Sequence, residues 1–293
     1  MNVRPFTDAD APIVAEHINR DEERFYGRPG DVTAEDILRY LPWSNEAWVW
    51  GESGRLLGSA TFSVEGDGAS VRGVVGEKGR GIGTAILERG EEFARAEGAT
   101  KILTGAAEPD AAARALFESR GYREVRRFYE MAIELAEEPA IPELPDGRQL
   151  DEIRDGEQRA FFDALNEAFA DHWEWHPRPF EEWIEMRRDE HHDELGPLWF
   201  VVRDGDELAA ATRNEARASG GGYVGAIGVR PAWRGHGLAK ALLYRTFGEF
   251  WRRGITRVTL DVDSQNETGA VRLYERVGMH VEACGVAFEK ALP

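Results

Sequence analysis

Residues 223–240, YVGAIGVRPAWRGHGLAK, constrain the fold of this chain more than any other stretch. Val224 and Ile227 supply the apolar content of a buried strand, and Pro231 ends that strand. The residues after the proline predict a glycine-bearing turn and then a helix that runs to about Trp251. The order strand, turn, helix is typical of an α/β fold.

The turn in this stretch has the chemistry of an anion-binding site. Gly235 and Gly237 remove the side chains that would keep a ligand away from the backbone. The first N–H groups of a helix lack internal partners and carry the positive end of its dipole, which suits a pyrophosphate. Arg234 and Lys240 add positive charge, and His236 adds to it when protonated. These residues alone are equally typical of an ordinary strand-to-helix turn, because short glycine motifs often occur by chance.

A second stretch decides between these two interpretations. It has the pattern of a buried strand, a short loop and a helix: TRVTLDV at 256–262, then Asn266, Ala270, Leu273, Tyr274 and Gly278. This set, together with Arg234, Gly237 and Ala239 of the first stretch, resembles the two signatures of the GNAT family of acyl-CoA-dependent N-acyltransferases. Met279 stands where that family usually has a phenylalanine.

The resemblance implies acetyl-CoA as co-substrate, no metal, and a set of residues that hold the acetyl-CoA. Ile227, Gly228 and Val229 would lie where their strand separates from its neighbour, so that backbone groups there bond the pantetheine arm and one N–H faces the thioester oxygen. Asn266 would also bond the pantetheine arm. The turn would hold the pyrophosphate through Arg234, Gly235, His236, Gly237, Leu238, Ala239 and Lys240.

Tyr274 is the general acid that the resemblance implies. The departing thiolate has a reference pKa of about 8.5, and a phenol with a pKa of about 10 is a plausible proton donor to it. Without the surrounding motif, Tyr274 would be interpreted as a core aromatic on an amphipathic helix.

The general base has several candidates, because residues 223–229 contain no carboxylate. An ammonium with a pKa of about 10 must lose a proton before it attacks. Glu215 stands at the end of the preceding strand. His172 and Glu174 lie in DHWEWH, a segment that the resemblance places at the acceptor pocket and whose two tryptophans suit a cation or a ring. Such aromatics are also common in cores and such histidines in solvent, so both interpretations stay open.

The same organisation occurs earlier in the chain. Gly81 and Gly237 are 156 positions apart, and Gly121 and Gly278 are 157 apart, which indicates that a whole domain is repeated. We therefore predict two tandem GNAT domains of the α/β (α+β) class, each with a central mixed, mostly antiparallel sheet flanked by helices. The predicted bounds are 1–136 for the first domain, 137–147 for an acidic, proline-rich linker and 148–293 for the second domain.

The two copies differ in their chemistry. The first has Phe117 in the place of Tyr274, and a phenyl ring cannot donate a proton. It also lacks an asparagine at residues 108–110. We expect the first copy to be catalytically silent. Whether it still binds acyl-CoA stays open, because its turn keeps Gly79, Arg80, Gly81 and Gly83.

Composition limits the partners and the cellular location that we expect for the chain. A net charge of −18 argues against nucleic acid or an anionic membrane as a partner. The single cysteine, Cys284, excludes an internal disulfide. The chain has no apolar run of membrane-spanning length and no recognisable signal peptide, so we expect a cytoplasmic protein, either a monomer or a homodimer.

The first hypothesis for function is N-acetylation of a small-molecule amine in the second copy. An alternative is acetylation of an amino-sugar thiol, because the mycothiol synthase family has a similar tandem layout and a similar segment at residues 165–172, although Tyr223 stands where that family has a catalytic glutamate. A non-catalytic acyl-CoA sensor is another alternative, but a sensor would need neither Asn266 nor Tyr274. Net charge also permits a protein acetyltransferase, for which no specific residue argues.

Overall fold

The structure is a computed structural model that describes residues 1–144, 147–185, 187, 198–217, 219–266 and 268–293. Positions 145 and 146 of the predicted linker lie outside these residues. The strands are β1 (Asn2–Pro5), β2 (Glu46–Glu52), β3 (Arg55–Glu65), β4 (Gly68–Val75), β5 (Lys101–Ala107), β6 (Arg123–Glu134), β7 (Arg148–Glu152), β8 (Trp199–Asp204), β9 (Glu207–Ala216), β10 (Gly222–Val229), β11 (Arg257–Asp263) and β12 (His280–Ala291).

The helices alternate with these strands in the order expected for a repeated α/β unit. The α-helices are α1 (Ala11–Tyr26), α2 (Ala34–Tyr40), α3 (Ile82–Ala96), α4 (Ala111–Ser119), α5 (Gln158–Phe169), α6 (Phe180–Glu185), α7 (Leu238–Arg252) and α8 (Ala270–Arg276). Short 3₁₀ turns occupy Asp8–Asp10, Leu41–Trp43 and Pro231–Trp233.

The chain forms two compact units, each assembled from more than one segment. The first unit contains Met1–Tyr129, Asp263–Gln265 and Glu282–Pro293, and the second contains Glu130–Val262 and Asn266–Val281. Most of β12 therefore belongs to the first unit, and the end of β6 belongs to the second. The contiguous domains 1–136 and 148–293 and the linker between them stay a prediction.

The first unit has the strand order β1-β2-β3-β4-β5-β12. β4 and β5 are parallel, and the other neighbours in this sheet are antiparallel. β12 pairs with β5 through residues 285–291. Phe62, Ile102 and Phe288 are completely buried in the core of this unit.

The second unit has the strand order β6-β11-β10-β9-β8-β7. β10 is parallel to β11 and antiparallel to β9. β9 and β8, and then β8 and β7, are also antiparallel. The predicted fold class, a mixed and mostly antiparallel sheet flanked by helices in each copy, is confirmed.

β8 explains why the second sheet carries helices on both faces. Trp199, Phe200, Val201 and Val202 are all buried, a continuous apolar run that needs cover on each side. On one face, the Phe161 ring of α5 stacks on Trp199 at a centroid distance of 4.8 Å. On the other face, the guanidinium of Arg245 in α7 lies 4.3 Å from the Phe200 ring centroid.

The start of β10 shows how closely α7 approaches the sheet. A Cβ added at Gly222 would lie 2.8 Å from two atoms of the Phe250 ring. Phe250 is completely buried, so its ring has no free space to move into. A glycine at position 222 is therefore a packing requirement.

We expect Gly222→Ala to lower the free energy of unfolding by about 1–3 kcal/mol, the usual cost of overpacking a core. The neighbouring Gly221→Ala is the matched control, because the nearest atom to its added Cβ is 4.0 Å away. Chemical denaturation of both variants measures the difference. Equal stabilities for the two variants would contradict the close approach of Phe250.

Glu249 in α7 joins three arginines of the same helix and its C-terminal end. Its carboxylate accepts hydrogen bonds from Arg245 at 2.8 Å, Arg252 at 2.7 Å and Arg253 at 3.1 Å. Burial raises the pKa of Glu249, but the hydrogen bonds from the arginines outweigh it and lower that pKa from 4.5 to about 2.

A carboxyl whose pKa is lowered by folding stabilises the folded state above its unfolded pKa. We expect Glu249 to contribute up to about 3 kcal/mol at neutral pH, a contribution that disappears as the pH falls from about 4.5 towards 2. Unfolding of wild type and Glu249→Gln at pH 7 and pH 3 tests this. The stability gap between the two proteins should narrow at pH 3, and a gap that is independent of pH would exclude the ionic contribution.

The described residues lack two features. No helix there combines the length and the hydrophobicity that crossing a membrane requires. Nor does this part of the chain bring together three or more histidine, cysteine, aspartate or glutamate side chains in a way that suits a metal ion. The absence of a metal from the mechanism stays a prediction.

Candidate active site

The candidate site begins where β10 leaves β11. The two strands pair at Gly222 with Val258 and at Tyr223 with Thr259, and the register ends there. β10 continues along β9 to Val229. Residues 224–229 therefore have one edge outside the sheet, as the resemblance implies for Ile227, Gly228 and Val229. An extended polar ligand can pair with such an edge through main-chain hydrogen bonds.

A bulge shapes the same strand. The register of β10 against β9 shifts between Val224 and Ala226, which leaves Gly225 as the extra residue. The guanidinium of Arg213 fills the space beside it, because a Cβ added at Gly225 would lie 2.7 Å from one of its terminal nitrogens. The bulge glycine therefore admits a buried cation next to the central strand.

The glycine turn before α7 has the geometry of an anion cradle. Gly235 and Gly237 have φ values of +83° and +77°, a left-handed conformation that favours glycine. The space beside both glycines is open, with no atom within 4 Å of an added Cβ. Buried Leu238 anchors the first turn of α7, and Ala239 follows it. The backbone here is open to a ligand, as the resemblance implies for a pyrophosphate site.

The cationic side chains of the turn adopt different orientations. Arg234 donates hydrogen bonds to the carbonyls of Val229 at 3.3 Å and Ala168 at 3.0 Å, and to the carboxylate of Asp171 at 3.0 Å. Its side chain thus joins β10 to α5 and is neutralised by Asp171. The expected contact of the Arg234 side chain with pyrophosphate stays a prediction.

The other two basic residues of the turn, His236 and Lys240, are exposed. The Nδ1 atom of His236 lies 3.0 Å from the carbonyl oxygen of Arg234. The ammonium of Lys240 lies 5.5 Å from the ring centroid of Tyr244. Lys240 is therefore better placed than Arg234 to add charge for a bound anion.

α5 lies directly against the open part of β10. A Cβ added at Gly228 would be 2.6 Å from the Cβ of Ala168 and 3.3 Å from the Phe169 ring. Phe169 is the last residue of α5, so the chain that follows, including His172 and Glu174, starts beside this strand.

His172 and Asn266 are brought together although they are 94 positions apart. The Nδ2 atom of Asn266 lies 3.4 Å from Nε2 of His172. Asn266 is fixed on its other side, because its Oδ1 accepts a hydrogen bond from the backbone N–H of Thr268 at 2.9 Å. A residue expected at the pantetheine arm and a candidate base therefore share one location.

Glu174 has an unusual backbone for its residue type. Its φ is +54°, a left-handed conformation that costs a non-glycine residue about 1–3 kcal/mol and is enriched at ligand sites. Its carboxylate lies 3.5 Å from Nε2 of His176.

Tyr274 is buried, with 7% of its surface exposed. No hydrogen bond from its hydroxyl is recorded within the part of the chain that the structure describes. Burial raises the pKa of this hydroxyl above its ordinary value of 10.0. The group is therefore protonated at neutral pH, as a proton donor must be.

Glu215 forms an ion pair with Arg213 on the α5 face of β9. Both residues are buried, and Glu215 lies opposite Tyr223 in the β9–β10 register. The Tyr223 hydroxyl donates a hydrogen bond of 2.9 Å to Asp261. Sequence reasoning identified Glu215 but missed Arg213 and Asp261. The alternation of charged residues at 213 and 215 in an otherwise buried strand was the available signal for Arg213.

The family model described as "Acetyltransferase (GNAT) family" matches residues 14–122 and, a second time, residues 150–279. The chain belongs to the GNAT acetyltransferase family. The two matches confirm the tandem repeat, and membership makes the protein an N-acetyltransferase. The family uses acetyl-CoA, for which the open edge of β10 and the glycine turn provide a fitting site.

Curated relatives share most of their length with this GNAT protein. A mycothiol acetyltransferase of Geodermatophilus obscurus is 32% identical over 256 residues, covering 81% of this chain and 80% of the relative. Another, from Thermobispora bispora, is 33% identical over 214 residues, 69% of each chain.

Solved structures show the same fold. A GCN5-related N-acetyltransferase from Sphaerobacter thermophilus has a TM-score of 0.82 at 33% identity and covers 99% of this chain and 95% of its own. A tandem GNAT protein from the clavulanic acid biosynthesis pathway has a TM-score of 0.75 at 16% identity, with coverage of 99% and 98%. At that lower identity, only the fold is shared.

The first GNAT copy keeps the backbone of the turn. Gly79 and Gly81 have φ values of +78° and +76°, and both positions are open. Gly83 is packed differently, since a Cβ there would lie 2.9 Å from Leu116. The cations of this turn pair with carboxylates: Lys78 with Asp110 at 2.8 Å, and Arg80 with Glu52 and Glu77.

Phe117 occupies the place of Tyr274 in the first copy as an ordinary core residue. It is buried, and its ring packs edge-on against Phe288 at a centroid distance of 5.3 Å. Its ring also lies 6.1 Å from that of Tyr122. This position therefore supplies apolar packing where the second copy has a hydroxyl.

We expect Glu215→Gln to destabilise the protein by about 3 kcal/mol or more, because it removes a charge partner of a buried guanidinium. The double variant Arg213→Gln/Glu215→Gln should recover part of that loss. Glu207→Gln on the same strand is the control, because its pair with Arg230 is exposed and worth less than about 1 kcal/mol. Equal effects of the two single substitutions in denaturant unfolding would argue against a buried pair.

Proposed function

We propose that the second unit transfers an acetyl group from acetyl-CoA to a primary amine of a small molecule by direct attack. The observation that carries the proposal is Tyr274, a buried tyrosine that is protonated and has no recorded partner among the described residues. It belongs to the same unit as the open edge of β10 and the glycine turn of α7. A non-catalytic acyl-CoA sensor would require the open edge and the glycine turn but no proton donor.

Backbone groups hold the co-substrate in this proposal. The open edge at Ile227, Gly228 and Val229 bonds the pantetheine arm, and a backbone N–H there stabilises the negative charge that develops on the thioester oxygen. The turn and the first N–H groups of α7 bind the pyrophosphate, with Lys240 adding charge. Asn266 adds a side-chain amide beside His172.

Acetyl-CoA supplies an acetyl thioester. The amine nitrogen forms the new amide bond to its carbonyl carbon, and the C–S bond breaks. Tyr274 transfers its proton to the departing sulfur, and the nitrogen that has attacked releases one proton to solvent, from which Tyr274 regains its own. The proton that the acceptor ammonium must lose goes to a group on the α5 side of the sheet, for which His172, Glu174 and Glu215 are the candidates. The products are an amide and the CoA thiol.

The first copy is catalytically silent in this proposal. Phe117 has no proton to donate, and it contributes to the core of the first unit. Chemistry therefore takes place once per chain. The cytoplasmic location and the choice between monomer and homodimer stay predictions.

Mycothiol synthase-like acetylation of an amino-sugar thiol is the second candidate. Relatives bearing the name mycothiol acetyltransferase at 32% and 33% identity favour it. Tyr223 stands where that family has a glutamate, but its hydroxyl bonds to Asp261, so a carboxylate is present next to the expected position. A desacetyl-mycothiol analogue therefore belongs in the acceptor panel.

We expect Tyr274→Phe to reduce the turnover number for CoA release at least tenfold, since general acids commonly contribute about 10²–10⁴-fold. The dissociation constant for acetyl-CoA and the thermal midpoint should change little, because the hydroxyl has no recorded partner in the described residues. Since burial raises the pKa of Tyr274, ionisation of this group should not reduce the wild-type rate below pH 10.

The assay is CoA release from acetyl-CoA across amino acids, polyamines, aminoglycosides, arylamines and the mycothiol analogue. Release with one amine class, reduced by Tyr274→Phe, supports the enzyme and identifies its substrate. Binding of acetyl-CoA without release with any amine would favour a sensor. Release that is unaffected by the substitution would remove Tyr274 from the role of acid.

A further inference from the structure

We infer that Trp175 stacks on a ring of the acceptor, so that the substrate is an amine carried on an aromatic or sugar ring. This inference rests on the proposed function and specifies the substrate class of the same site. It assigns Trp175 a role in selecting the acceptor.

Trp175 is an exposed large aromatic on a well-packed support. It is 38% exposed, although indole rings are normally mostly covered. Its ring stacks on Phe169 with a centroid distance of 5.0 Å and an interplanar angle of 27°. Phe169 covers part of the indole and holds it in place, and a large part of the residue stays in contact with solvent.

The support connects Trp175 to the candidate site. The Phe169 ring lies 3.3 Å from the position of a Cβ on Gly228, in the open part of β10. The same ring lies 4.4 Å from the ring of His172, whose Nε2 atom approaches Asn266. Trp175 is therefore one aromatic layer away from the strand expected to hold the pantetheine arm.

The backbone fixes this arrangement without regular secondary structure. The N–H of His172 donates to the carbonyl of Phe169 at 2.8 Å, and the N–H of Trp175 donates to the carbonyl of His172 at 3.2 Å. These successive turns bring the indole back onto the end of α5. A rigid aromatic presented in this way binds a ring at a low cost in conformational entropy.

A carboxylate directly precedes the indole in the chain. Glu174 precedes Trp175, and its left-handed backbone at φ +54° is the kind of strain found at ligand sites. Its carboxylate lies near the His176 imidazole. An indole and a carboxylate on successive residues are the two groups that would bind the ring and the ammonium of such an acceptor.

The alternative is that Trp175 only covers Phe169. Trp175→Ala would then lower the stability of the protein and change the KM of all acceptors to the same extent. A stacking platform instead predicts a loss confined to ring-bearing amines, recovered by another flat side chain. The two roles are separated by comparing acceptors within one variant.

The test measures kcat and KM for CoA release with glucosamine, 2-phenylethylamine and putrescine in wild type, Trp175→Ala and Trp175→Phe. We expect Trp175→Ala to raise the KM of the preferred ring amine at least tenfold, with kcat within threefold and the putrescine KM within twofold. Trp175→Phe should stay within threefold of wild type. The sugar and aryl amines identify which kind of ring is preferred. Tyr40→Ala removes a 48% exposed aromatic of the first unit and should change nothing.

Calorimetric titration of each amine into the protein with CoA present gives affinities that do not depend on turnover. Ring binding that depends on Trp175 without CoA release with any acceptor supports this inference and rejects the proposed function. CoA release whose KM rises equally for ring and open-chain amines rejects only the inference. Better use of putrescine than of both ring amines by wild type also overturns it, as does ring binding that Trp175→Ala leaves intact.

Discussion

The candidate site of the second unit exists because β10 and β11 stop pairing after Tyr223. Backbone N–H and C=O groups need hydrogen-bond partners. The edge of β10 that β11 leaves unpaired can therefore bind an extended polar ligand through these groups. β10 keeps its shape without β11 because β9 pairs with it along its whole length, across a bulge. Two close contacts fix it from the two faces, Gly222 against Phe250 and Gly228 against Ala168. The rigid scaffold thus holds the opening ready for a ligand.

In the proposed function, recognition of the pyrophosphate depends more on backbone groups than on side-chain charge. Arg234 is the cation of the GNAT turn motif. Its guanidinium bonds to Asp171 and to two carbonyl groups, and so joins α5 to β10. The two left-handed glycines of the turn leave the start of a fifteen-residue helix open. The helix terminus and its unpaired N–H groups then carry the interaction, with Lys240 in support. The same arginine bonds to the end of α5, so one side chain contacts both the glycine turn's strand and the helix that precedes His172.

Local patterns predicted much of this, because spacing within one strand, turn or helix is set by nearby residues. The turn at Gly235 and Gly237 could be anticipated in this way, and the resemblance to the GNAT family implied the fold class and the separated strand. The assignment of most of β12 to the first unit could not, because a strand's partner is chosen by tertiary packing rather than by its own residues. The burial of the Arg213–Glu215 pair could not be anticipated for a similar reason. Their alternation shows that they share a face but does not reveal that the face is buried.

The two copies share the left-handed glycines of the turn and differ at the position of the proposed proton donor. Phe117 gains an aromatic contact with Phe288, which is the stable choice for a buried side chain at this place in a helix. Tyr274 is also buried but carries a hydroxyl, which has no recorded partner in the described chain. Folding alone gives no reason to keep that hydroxyl, since the first copy shows that a phenyl ring packs well there. In the proposed function, a ligand approaches Tyr274 and gives this hydroxyl a role, and the open edge of β10 in the same unit binds that ligand.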